Sequence, residues 1–116
     1  MFMTTTTRRA SAPRARIRDR GQVDALVLAA LADAPRRHDE IADRLREQAG
    51  GTLDMPLSRL VPTLHRLARN RLVSRQSRDP RRYRLTDTGR RSLTARLRAA
   101  DSFADAVHRL ADGSGD

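Results

Sequence analysis

The chain contains no cysteine and no tryptophan. It therefore forms no disulfide, holds no thiolate-bound metal and performs no thiol chemistry. Lysine is absent as well, so all 24 basic residues are arginine. One tyrosine (Tyr83) and two phenylalanines (Phe2, Phe103) make up the aromatic content. The core must then be aliphatic, which suits packed helices. No apolar run approaches the roughly 18 residues that would span a bilayer, so no membrane is expected as a partner. The N-terminus lacks the apolar centre of a secretory signal.

What the chain has in excess is arginine, unevenly placed. The net charge of the 116 residues is +10, yet residues 57–98 alone carry +11, from thirteen arginines against Asp79 and Asp87. Residues 1–20 carry +5, whereas residues 21–56 and 99–116 each carry −3. A basic field so concentrated calls for a polyanion, nucleic acid first. Arginine presents a planar fork of donors that matches phosphates and guanine edges. At this length one domain with a modest core is expected.

The pattern of apolar residues predicts four helices and a hairpin. Residues 22–34 place Val23, Leu26, Val27, Ala30 and Leu31 at helical spacing, with Pro35 as the stop. Residues 36–49 align Ile41, Leu45 and Ala49, and Gly50-Gly51 closes that helix. A third helix covers 55–70, with Asp54 as its expected N-cap. Its apolar stripe is Leu57, Leu60, Val61, Leu64, Leu67 and Ala68. Pro62 must lie near the start of this helix or kink it. Leu72–Gln76 and Arg82–Leu85 read as an antiparallel pair around a turn at Asp79-Pro80. Alternation turns Tyr83 and Leu85 inward, Arg82 and Arg84 outward. From Asp87 a last helix carries Leu93, Leu97, Ala100, Ala104, Val107 and Leu110 at near-heptad steps, with Phe103 beside them.

The expected fold is thus mainly α with a small two-stranded antiparallel wing, a winged helix-turn-helix followed by a C-terminal dimerisation helix. The expected organisation is a flexible basic arm (1–20), a DNA-binding domain (21–86), a dimerisation helix (87–112) and a frayed tail (113–116). On the third helix, Arg59, Thr63 and Arg66 fall at i, i+4 and i+7, with Pro62 among them, and are expected in the major groove. Arg78, Arg81, Arg82 and Arg84 are expected on phosphates or in the minor groove. Arg36 and Arg37 are expected near DNA at the start of the second helix. The dimer seam is expected to be Leu93, Leu97, Ala100, Phe103, Ala104, Val107 and Leu110.

Chemistry of other kinds finds little support. His38, His65 and His108 lie in three different helices, without the paired spacing of a metal site, and read as surface histidines. No nucleophile-base constellation or phosphate-cradling glycine loop is present, so no enzyme and no cofactor are expected.

Two runs of residues resemble a known family. Leu60-Val61-Pro62-Thr63-Leu64-His65-Arg66-Leu67 is similar to the Tyr-Pro-x-Leu-x-Arg-Leu run in the recognition helix of PadR-like transcriptional regulators. Tyr83-Arg84-Leu85-Thr86-Asp87-Thr88-Gly89 resembles the Tyr-x-Leu-Thr-x-x-Gly run that follows their wing. The resemblance extends over about residues 22 to 110. The chain departs from the pattern at Val61, where the family has an aromatic residue, and at Arg71, where it has glycine. It also lacks the tyrosine of the family's His-Gly-Tyr-Glu-Ile run, reading Arg37-His38-Asp39-Glu40-Ile41. The resemblance implies a homodimer joined through the last helix, repressing from a palindromic double-stranded operator in the cytoplasm, in association with the nucleoid. Whether a small-molecule effector exists is left open. Three other readings stay open: a non-specific packaging or RNA-binding protein, a MarR-like regulator, and a winged-helix adaptor for another protein.

Overall fold

The computed structural model describes residues 15–16, 19–49, 53–54 and 57–113. The expected basic arm up to residue 14, the Gly50-Gly51 helix end and residues 114–116 lie outside the described residues. The elements in chain order are β1 (Ala15–Arg16), α1 (Arg20–Ala30), β2 (Arg36–Arg37), α2 (His38–Ala49), β3 (Leu53–Asp54), a 3-10 turn (Leu57–Arg59), α3 (Leu60–Arg69), β4 (Val73–Arg75), β5 (Arg82–Leu85) and α4 (Asp87–Asp112).

Three helices pack around an aliphatic centre. Val23, Val27, Leu28 and Leu31 meet Ile41, Ala42 and Leu45 of α2 and Leu60, Leu64 and Leu67 of α3. The wing closes one side with Val73, Tyr83 and Leu85, and α4 adds Leu93. α1 opens on an N-cap: Asp19 accepts from the Gln22 amide at 3.1 Å. α3 starts later than its sequence pattern implies. Asp54 belongs to β3, which pairs in parallel with β1, and is not the cap of α3. Pro62 therefore falls in the first turn of α3, where amides have no helical acceptor and a proline costs nothing.

The wing is a three-stranded antiparallel sheet in the order β2-β5-β4. Arg36 registers with Tyr83, and Val73 with Leu85. The third strand, β2, is only two residues long and has no apolar alternation to announce it. As alternation predicts, Tyr83 and Leu85 are buried and Arg84 is exposed.

α3 ends in a tight helix cap. The Leu72 amide donates to the Leu67 carbonyl and the Arg71 amide to the Ala68 carbonyl, both at 3.0 Å. This Schellman geometry needs a left-handed residue, here Arg71 at φ 63°. The wing then joins α4 through Thr86. Its hydroxyl donates to the Arg71 carbonyl at 2.6 Å and accepts from the Gly89 amide at 3.0 Å. A Cβ at Gly89 would collide with the Leu72 carbonyl. That accounts physically for the Leu-Thr-x-x-Gly run: threonine caps the helix and glycine lets the two backbones meet.

α4 is fixed to the body by its first half only. Arg90 reaches the Ala32 carbonyl at 3.2 Å, and Arg96 the Gly21 carbonyl at 3.1 Å. From Leu97 onward every described residue is exposed. Among the described residues, no helix is long and apolar enough to cross a membrane.

Candidate nucleic-acid interface

Successive residues of a helix are rotated by about 100°, so the packing of α3 decides which side chains meet solvent. Leu60, Thr63, Leu64 and Leu67 point inward. Pro62, His65 and Arg69 form the outer ridge, with Val61 beside them at 39 % exposure. This differs from the sequence-based expectation by part of a turn. Thr63, expected in the major groove, is 4 % exposed, and Val61, expected in the core, lies outside.

The reason lies on α1. Asp24 is a buried acid on an otherwise apolar face, and Arg66 answers it with two bonds. Nη2 donates to Oδ1 at 2.7 Å and Nη1 to Oδ2 at 2.8 Å. The side chains are 9 % and 22 % exposed, respectively. Hydrogen bonding to Asp24 holds the Arg66 guanidinium above its usual range. The pair fixes α3 in rotation against α1 and commits the fork of Arg66 to the protein.

Other arginines expected on DNA are similarly engaged. Arg36 donates to the Ala30 carbonyl at 2.8 Å and to Asp33 at 2.6 Å, closing the corner after α1. Arg37 lies 3.6 Å from Asp39 and 3.7 Å from Glu40. Arg82 bonds Glu40 at 3.0 Å and Asp79 at 3.1 Å, so it ties the wing to α2. Arg78, Arg81 and Arg84 are exposed on the wing, and Arg59 is half-buried at the foot of α3. Arg59, Pro62, Thr63 and Arg66 line one small cleft with Arg20 and Ser58.

A larger groove, of about 620 Å³, runs between the start of α2, the ridge of α3 and the wing. Its walls include Arg37, His38, Val61, His65, Arg75 and Arg81. The Arg75 guanidinium sits over the Tyr83 ring, 5.4 Å from its centroid, within cation–π range. His38, His65 and Arg75 are groove residues with polar side chains that fall outside the sequence-based expectation, and Arg69 lies one turn beyond His65 on α3. The angular position of His65 and Arg69 on α3 and the place of Arg75 in the β4–β5 register carried the signal, once Asp24 is seen to need a cation. Among the described residues, no group of three or more His, Asp or Glu side chains could hold a metal ion.

On α4 the structure divides the expected seam. Leu93 is buried in the protomer's own core, turned inward toward α1. Leu97, Ala100, Phe103, Ala104, Val107 and Leu110 are exposed, Phe103 at 72 % and Leu110 at 83 %.

Three helices, a wing and a basic surface along the third helix define a winged helix-turn-helix protein. The family model of the PadR-like transcriptional regulators matches residues 27–95, more than half of the chain. The chain belongs to that family, and DNA is the partner that membership supports. Solved structures agree in fold. A PadR family regulator from hypervirulent Clostridium difficile aligns over 76 % of this chain and 96 % of its own, with TM-score 0.64 and 19 % identity. A transcriptional regulator from Clostridium thermocellum aligns over 78 % and 93 %, with TM-score 0.65 and 18 % identity. A PadR-like regulator from Bacillus cereus aligns over 83 % and 95 %, with TM-score 0.63 and 18 % identity. No curated protein matches the sequence.

Proposed function

We propose that this chain is a sequence-specific, dimeric DNA-binding repressor of the cytoplasm. α3 enters the major groove, and the wing rests on phosphates or in the minor groove. The observation that carries this reading is the groove itself. Val61 and His65 of α3 and the arginines at positions 37, 75 and 81 share its walls. Asp24 and Asp79 are bonded to Arg66 and Arg82, and Asp39, which shares the groove wall, lies 3.6 Å from Arg37.

In this reading Pro62, His65 and Arg69 face the bases, and Arg59, Arg75, Arg78, Arg81 and Arg84 take phosphates. Arg36, Arg66 and Arg82 act through the fold, by holding α3 and the wing in place. The exposed apolar residues of α4 call for a cover. A second copy provides it and sets two α3 helices about one DNA turn, roughly 34 Å, apart. Residues 21–86 then bind DNA and 87–112 pair the protomers.

Selection of bound fragments from a random duplex pool tests the proposal. The expected result is one enriched, two-fold symmetric motif with half-sites about one turn apart. A pool with no enriched motif would overturn it and leave a non-specific nucleic-acid binder.

A further inference from the structure

Few side chains of α3 are placed to read a base. On its outer ridge Pro62 and the neighbouring Val61 offer no side-chain hydrogen bond. Thr63 is turned into the core, and both terminal nitrogens of Arg66 are on Asp24. At the middle of the described ridge this leaves His65, with Arg69 one turn on. His38, the first residue of α2, lines the same groove, and both imidazoles are exposed. Two of the chain's three histidines thus share one surface.

We propose that His65 reads the operator as an imidazolium, so that specific DNA binding takes up a proton, with His38 acting in the same sense from the groove wall. This rests on the reading of α3 as the groove helix. A neutral imidazole has one donor and one acceptor, whereas the cation has two donors. Guanine presents two acceptors, N7 and O6, in the major groove. The phosphates that flank the groove favour the charged ring.

Imidazole is the side chain whose charge ordinarily changes between pH 5 and 8. The groups facing the two rings are Arg37 from β2, Asp39 from α2, Arg75 from β4, Arg81 from the wing turn and Tyr83 from β5. A complex that holds more protons than the free chain loses affinity as pH rises. The loss is at most about tenfold per pH unit for each proton taken up.

The test measures affinity of the full chain for a selected, labelled operator between pH 5.5 and 8.5 at fixed salt. Wild-type affinity should fall about fivefold or more between pH 6 and 7.5. His65→Gln should bind at pH 6 severalfold more weakly than wild type, with most of the pH response lost and an unchanged melting temperature. His65→Lys should restore tight binding at pH 8 and keep only the smaller, His38-dependent part of the pH response. His38→Gln should remove a smaller part of the response, and His108→Gln none. A flat wild-type profile, or a full response in His65→Gln, overturns the proposal while leaving α3 as the groove helix. A chain that binds no duplex at any pH overturns both.

Discussion

Removing Arg66 should damage the fold before it alters base preference. Its guanidinium closes two bonds, of 2.7 and 2.8 Å, on Asp24. In Arg66→Ala the carboxylate, 9 % exposed in its side chain, is left without its cation. Breaking a buried pair costs about 3–5 kcal/mol. Arg66 is partly exposed, which lowers the strength of the lost attraction, and the lower end, about 3 kcal/mol, is expected. Asp24→Ala should cost less, about 2 kcal/mol, because the stranded partner is then an arginine that can turn to water. The double variant Asp24→Leu with Arg66→Met replaces the pair by apolar groups and should recover most of the loss. For a domain of this size each kcal/mol moves the melting temperature by about 4–8 °C. Thermal unfolding should therefore place Arg66→Ala more than about 10 °C below wild type, with Asp24→Ala between them. An Arg66→Ala protein of wild-type stability and altered base preference would instead return Arg66 to the DNA.

Other expectations follow from the same geometry. Arg71→Gly removes a left-handed arginine and should raise stability by about 1 kcal/mol in chemical denaturation; a loss would contradict the Schellman assignment. Gly89→Ala forces a methyl group onto the Leu72 carbonyl and should cost about 1–3 kcal/mol in the same assay. Arg81→Ala should weaken binding to all duplexes and lower the slope of log affinity against log salt by about one. An unchanged slope would mean that Arg81 touches no phosphate. Leu97→Asp should yield monomers in sedimentation, and a persistent dimer would place the interface elsewhere.

The sequence spoke most clearly where period and burial coincide. The aliphatic faces of α1 and α2, the Tyr83–Leu85 alternation and the Thr86–Gly89 junction can each be read from residue types alone. The rotation of α3 cannot. Val61 and Thr63 flank Leu60 on opposite sides, and local periodicity accommodates either one inside. The choice falls to a contact between positions 24 and 66, far apart in sequence. Charge was misleading for a related reason. A count of arginines records where cations are, whereas Arg36, Arg66 and Arg82 answer acids that only the tertiary fold brings near. Short strands were illegible too. β2 is two arginines long, and its pairing with β5 follows from the path of the chain between α1 and α2.

The proposed function rests on specific duplex recognition by a dimer through α3 and the wing. The most direct measurement is the ratio of affinities for the selected operator and for a random duplex, at one salt concentration near physiological. A ratio of about 10³ or more is the expected result. Equal affinity for the two duplexes would contradict it.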